Sequence, residues 1–354
     1  MKVHGFDYIN KKDKKLTNEF LYSKDTKKYI LGINKLTKSI LKHIEVDGII
    51  DDFTRVQSSR KKNILKIEDV SKDCIILSTS TGSPLEVQNT LNSLGYTNFN
   101  YLSFYRYSKL NLSPPPFMLD FKDDFLKNKQ NYEYIYNLLE DEKSKDIFTK
   151  VLNFKITFDF SFMSGFTNNF DKQYFDKDIL PKFDKIVFVD GGGYVGDTLP
   201  SIIKNYPKYK KIYLIEPNEL HINIAKRDFS NTKNIEFINC GLGKKIEINN
   251  NIQESQNNCN HNYQAHNINT IDNLINEKID FIKLDIEGAE QDAIVGSQNT
   301  IKKYHPVLAI CIYHKANDWY KVPQLVLNIR SDYKIYLRHY MEGIYETVMY
   351  FIPT

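Results

Sequence analysis

Cysteine is scarce and dispersed. The 354 residues hold four, Cys74, Cys240, Cys259 and Cys311, with no C-x-x-C pair. That spacing argues for a reducing, cytoplasmic setting rather than a disulfide framework. Long apolar runs are missing, since no window approaches the ~20 apolar residues of a membrane span. The first residues, Met1 to Asp7, carry a charge but no apolar core of a signal peptide. Charge of one sign is not in excess: 48 basic residues face 44 acidic ones, a net charge of +4. That balance excludes nucleic acid as the expected partner. Lysines 11, 12, 14, 15, 24, 27 and 28 crowd the first segment and read as a solvated face, with an anionic surface partner as the alternative. The length allows two ordinary domains and a sizeable core.

Three segments follow from the patterning. Residues 28–34 read as a strand ending at Gly32, followed by an amphipathic helix (Leu36, Ile40, Leu41, Ile44). Strands at 46–52 and 73–80 and a helix at 85–94, stopped by Gly95, complete a small Rossmann-like α/β domain over 1–112. It resembles the nucleotide-sugar-binding half-domain at the front of some sugar N-acyltransferases. Ile33, Asn34 and Lys35 stand where such a domain has its glycine-rich turn. Nucleotide-sugar binding and a folded domain with no ligand of its own both remain open. Pro114, Pro115 and Pro116 mark the boundary. Residues 113–180 form a helical connector, with Ile135, Leu138, Leu139, Ile147 and Leu152 predicting one or two helices.

The third segment, 181–354, is organised around residues 185–200. A buried strand (186–189) runs through glycines 191, 193 and 196, in G-x-G-x-x-G spacing, into a helix. Asp190 ends the strand and Asp197 opens the helix. A pyrophosphate would meet two carboxylates there. A ligand bearing an ammonium and a sulfonium would be attracted, and S-adenosylmethionine is such a ligand. Strands and helices then alternate: strands at 211–216, 235–241, 280–285 and 306–314, and two closing strands, 333–338 and 346–352, that predict an antiparallel hairpin. An Asn/Gln-rich loop (249–262) interrupts them, and a helix is expected at 323–329. Ligands in open α/β sheets sit outside the carboxyl ends of the strands. Those ends here carry Asp190, Glu216, Asp285, Glu287 and Glu290. Asp190 also reads as a turn acid and Asp285 as a buried structural acid.

The glycine block 189–198, the Lys-x-Asp-x-Glu-Gly-x-Glu block 283–290 and the segment 309–315 resemble the signature blocks of the FkbM family of S-adenosylmethionine-dependent methyltransferases. The resemblance covers roughly residues 117–354. It implies a Rossmann-like methyltransferase fold: a mostly parallel sheet with a terminal antiparallel hairpin, preceded by the smaller α/β domain and the helical connector. It further implies O-methylation of a hydroxyl on a sugar, either nucleotide-linked or part of a surface polysaccharide. Carried onto this chain, it places cofactor contacts at Asp190, Gly191, Gly193, Gly196, Asp197, Thr198, Glu216 and Asn218. Gln173 and Tyr174 would touch the methionine end, and Asn239 and Cys240 the adenine.

Methyl transfer is an in-line displacement that needs the acceptor oxygen aligned and its proton removed. His314, at the end of the fifth strand, is the expected general base, with Asp285 or Glu287 orienting it. A histidine hydrogen-bonded into the sheet edge is the other reading. Lys283 either pairs with the acids or binds an acceptor oxygen. Arg338, His339 and Glu346 are expected on the acceptor side. No metal is expected, because Cys259, His261 and His266 lie in the Asn-rich loop. A divalent ion on Asp285 and Glu287 is the alternative. A homo-oligomer is left open. Two other functions compete: an NAD(P)-dependent sugar oxidoreductase, which Asp190 and Asp197 disfavour, and a non-catalytic scaffold of glycan assembly.

Overall fold

The computed structural model describes residues 1–4, 8–51, 64–248 and 267–354. The whole loop expected at 249–262, and with it Cys259, His261 and the following His266, lies outside the described residues. The chain divides into two compact units. Unit 1 comprises 1–122, 149–168 and 341–345; unit 2 comprises 123–148, 169–340 and 346–354.

Unit 1 is built on a parallel five-stranded sheet of β1 (Lys27–Leu31), β2 (Gly48–Ile50), β3 (Ile64–Leu65), β4 (Cys74–Ser78) and β5 (Thr97–Asn100), in the order β3-β2-β1-β4-β5. β4 is buried at every position, as suits an interior strand of a parallel sheet, here between β1 and β5. Helix α1 (Lys11–Tyr22) covers residues whose lysine content marks a solvated face. The lysines do stay outside, but Leu16, Thr17 and Phe20 form a buried stripe at helical spacing, and the Asn10 side chain caps the start by accepting from the Asp13 amide. Phe20 meets Phe99 and Phe104 edge-to-face at 5.6 and 5.7 Å. Helices α2 (Lys35–Ile40), α3 (Pro84–Ser93) and α4 (Tyr101–Ser108) complete the cover. β5 and α4 are additions to the expected pattern.

The connector holds two helices, α5 (Phe121–Leu138) and α6 (Glu142–Thr157). Residues of α6 up to Phe148 belong to unit 2, and those from Thr149 to unit 1.

Unit 2 holds the larger sheet. Its strands are β6 (Val187–Gly191), β7 (Lys211–Ile215), β8 (Ile235–Ile238), β12 (Phe281–Leu284), β13 (Val307–Cys311), β14 (Tyr333–His339) and β15 (Thr347–Pro353), in the order β14-β15-β13-β12-β6-β7-β8. All pairings are parallel except those of β15, which lies antiparallel between β14 and β13, so the expected terminal hairpin is present. A three-stranded ribbon of β9 (Gly241–Leu242), β10 (Glu247–Ile248) and β11 (Asn267–Asn269) follows β8. Helices α7 (Leu199–Asn205), α8 (Glu219–Asp228), α9 (Ile271–Leu274), α10 (Glu290–Val295), α11 (Gln298–Tyr304) and α12 (Asp318–Ile329) connect the strands. α12 starts at Asp318, ahead of the expected 323, and carries Pro323 inside it. Burial explains the early start: Trp319 is fully enclosed, with its ring 4.8 Å from that of Phe148. Among the described residues no helix is long and apolar enough to cross a membrane.

The order of the sheet puts β6 between β7 and β12. The chain therefore reverses direction across the sheet at β6, and the carboxyl ends of these three strands open one crevice.

Candidate active site

At the end of β6 the chain turns tightly between its neighbours. Gly192 and Gly193 both donate to the Ile215 carbonyl, at 2.9 and 3.1 Å. Gly192 has φ +76°, and a Cβ there would lie 1.8 Å from the Asp285 carbonyl oxygen. A Cβ on Gly193 would lie 2.3 Å from Leu214 Cγ. The turn is thus glycine because β7 and β12 leave no room for side chains.

Beyond it lies a cleft of about 1450 Å³, lined entirely from unit 2. Gln173, Tyr174, Asp197, Thr198, Glu216, Asn218, Cys240, Lys283, Asp285 and Glu287 all line it. The other expected contacts lie elsewhere. Gly191 and Gly193 press on leucines, Gly196 on Phe229 and Leu199, and Gly192 is the glycine of this turn that lines the cleft. Asn239 donates to the carbonyls of Glu216 and Pro217 at 2.9 and 3.1 Å, so its amide braces the turn after β7. Asp190, fully buried, pairs with Lys283 Nζ at 2.8 Å.

Glu216 sits at the end of β7. Its Oε2 accepts from the Tyr194 amide at 3.0 Å and its Oε1 from the Asn218 amide at 2.9 Å. Asn218 in turn caps α8, accepting from Leu220 and His221. A carboxylate so held keeps lone pairs for ribose hydroxyls. His221 Nδ1 is 3.6 Å from Glu216 Oε1, and the His221 and Tyr194 rings meet edge-on at 4.4 Å.

The other end of the cleft is a carboxylate cluster. Asp285 accepts from Tyr174 Oη and Tyr313 Oη, each at 3.0 Å. Lys283 donates to the Gly192 carbonyl at 2.8 Å. Burial alone would pull its ammonium pKa down, but Asp190 and Asp285 outweigh that and hold it above its ordinary value. Burial pushes the Asp197 carboxyl up. Glu346, just before β15 and at φ +63°, also lines the cleft and accepts from the Gln173 amide. Burial, then the charge of Asp285, raises its pKa to about 7.

His314 differs from the sequence expectation. Its side chain is 1% exposed and does not line the cleft; Nδ1 is 3.0 Å from Glu290 Oε1, and Nε2 is 3.5 Å from Asp285 Oδ1 and 3.8 Å from Glu287 Oε2. Burial disfavours the imidazolium, yet Glu290 on one side and Asp285 and Glu287 on the other raise its pKa to about 9. His314 is thus enclosed among three carboxylates that favour its protonated form, and its ring lies outside the cleft lining. Asp285, Glu290 and His314 each bring one donor atom within 4.8 Å of the others, a set that can also hold a divalent cation. Arg338 and His339 also lie outside the cleft lining: Arg338 is bound to Asp141 and Asp176, and His339 to Thr347.

Sequence patterning missed Gly192, Tyr194, His221 and Phe170 in the lining. The run of three glycines was the signal for Gly192, because the G-x-G-x-x-G template steps over it.

The donor set fits a cofactor with two cationic centres. Glu216 is held ready at one end, and Asp197 and Asp285 lie at the other.

Residues 190–335 match the family model of the methyltransferase FkbM domain. No curated protein matches the sequence. Among solved structures, methyltransferase FkbM from Methylobacillus flagellatus KT is similar, with 23% identity, a TM-score of 0.77, and coverage of 97% of this chain and 94% of that one. A SAM-dependent methyltransferase from Aquifex aeolicus has 17% identity and a TM-score of 0.33, covering 56% of this chain and 100% of that one. Aeropyrum pernix fibrillarin, with natively bound S-adenosyl-L-methionine, has 14% identity and a TM-score of 0.33, covering 49% and 69%. Residues 190–335 therefore form a methyltransferase FkbM domain, and the protein is a methyltransferase.

Proposed function

We propose that the protein methylates a hydroxyl group of a sugar, with Glu346 as the group that takes the hydroxyl proton. The observation that carries this is a carboxylate with a pKa of about 7 lining the cofactor cleft. A general base works best when its pKa lies near the operating pH. S-adenosylmethionine supplies a methyl carbon already activated by its sulfonium. The protein's task is then to place the acceptor oxygen and remove its proton. Glu216 and Asn218 hold the ribose side. Asp197 and Asp285 favour the positive centres. Tyr174 and Tyr313 fix Asp285, and the Gln173 amide fixes Glu346. The cleft exceeds the ~300–1,000 Å³ of a one-ligand site, which leaves room for an acceptor beside the cofactor. Incubation of the protein with S-adenosylmethionine and a panel of glycosides, read by mass for the gain of one methyl, tests the proposal. Transfer to amines or thiols in place of hydroxyls overturns it.

A further inference from the structure

We infer, resting on that function, that the acceptor enters the cleft as an electroneutral carbohydrate, with no phosphate or nucleotide beside the reacting ring. Six carboxylates line the cleft: Asp171, Asp197, Glu216, Asp285, Glu287 and Glu346. Among the described residues the lining has one lysine, Lys283, and no arginine. That lysine is already committed, to Asp190 at 2.8 Å and to the Gly192 carbonyl at 2.8 Å. His314, outside the lining, is enclosed among carboxylates, with Nδ1 3.0 Å from Glu290 and Nε2 3.5 and 3.8 Å from Asp285 and Glu287. S-adenosylmethionine, with an ammonium, a sulfonium and a carboxylate, brings a net charge of only about +1, so the loaded cleft keeps an excess of negative charge. Sites that accept phosphate present arginine, lysine or free backbone amides to it. This one presents acceptors.

A neutral polyol suits those acceptors, because each of its hydroxyls can donate to a carboxylate. A second feature points the same way. Phe170 is 53% exposed, lines the cleft, and stands beside Asp171 and close in sequence to Gln173, the partner of Glu346. An exposed aromatic ring next to hydrogen-bonding carboxylates offers an apolar surface for the C–H face of a sugar ring together with partners for its hydroxyls.

The test pairs methyl glycosides with their matching sugar 1-phosphates and UDP-sugars. Each glycoside is expected to give a kcat/KM at least about 10-fold above its phosphorylated counterpart, and Glu287→Lys to narrow that ratio about 3-fold or more. Phe170→Ala is expected to raise the KM of the glycoside and not that of S-adenosylmethionine. Equal or better turnover of the nucleotide sugars overturns the inference. If no compound in the panel is methylated, the proposed function fails, and the inference is then decided by binding. UDP is titrated into protein loaded with S-adenosylhomocysteine and soaked into its crystals. Phosphates seated in the cleft overturn the inference, and a cleft free of them supports it.

Discussion

The two units both carry a largely parallel sheet, and among the described residues their strand ends differ. In unit 1 the turn after β1 closes on itself. The Thr79 hydroxyl donates to the Leu31 carbonyl at 2.9 Å, the Thr37 hydroxyl to the Gly32 carbonyl at 2.6 Å, and the Asn34 amide to the Thr79 carbonyl at 2.9 Å. The start of α3, where a helix offers free N–H groups, is occupied by the protein's own Glu342, which accepts from the Leu85 and Glu86 amides at 2.9 Å each. In unit 2 the matching positions carry carboxylates that face an open cleft. A parallel α/β sheet supplies a crevice, and the side chains at the strand ends decide whether it binds anything.

The largest effect is expected where the open crevice does its chemistry. Glu346→Gln should lower kcat by about 10²–10³-fold and remove the rise of the rate with pH around neutrality, while the affinity for S-adenosylmethionine stays within about twofold. A pH profile of kcat alongside a cofactor titration checks this. An unchanged profile would remove Glu346 as base.

Next is the ion pair beneath the turn. Lys283→Ala leaves Asp190 buried without its cation, and a loss of about 3–5 kcal/mol in denaturant unfolding is expected. A loss below 1 kcal/mol would mean that the pair is not closed off from water as the geometry has it.

His314 gives a pH-dependent effect. Its pKa is raised in the folded protein to about 9, above the ordinary 6.5. The stability it contributes is therefore complete below about pH 6.5 and is lost as pH rises through about 9. Unfolding measured between pH 6 and 10 should show that loss in the wild type and not in His314→Gln.

The smallest effect belongs to the closed sheet. Glu342→Ala uncaps α3 and should cost about 1–2 kcal/mol, visible as faster hydrogen exchange in the first turn of α3, with cofactor affinity unchanged.

The contrast between the units also shows what patterning along the chain can reveal. Strands such as 281–284 and 307–311 are continuous buried runs between turn residues, and they read as strands from composition alone. The acids at their ends were legible for the same reason, because a strand end is a sequence position. Helix α1 was obscured because three buried residues, Leu16, Thr17 and Phe20, sit among lysines. The start of α12 was obscured because Pro323 is a common first helical residue, whereas tertiary packing of Trp319 pulls the helix earlier. The state of His314 was beyond sequence reach. It depends on carboxylates contributed by α10 and by the turn after β12, which the fold places on both sides of one ring. Glu346 appeared only as an acceptor-side residue, because its proton affinity is set by burial and by Asp285, distant in the chain.

The most direct measurement of the central claim, that the acid-ended crevice of unit 2 is the cofactor site, is calorimetric titration of S-adenosylmethionine into three proteins: the wild type, Glu216→Gln and the unit 1 variant Thr79→Val. One site per chain is expected, weakened by about tenfold or more in Glu216→Gln and unchanged in Thr79→Val. Wild-type affinity in Glu216→Gln, or binding lost in Thr79→Val, would contradict it.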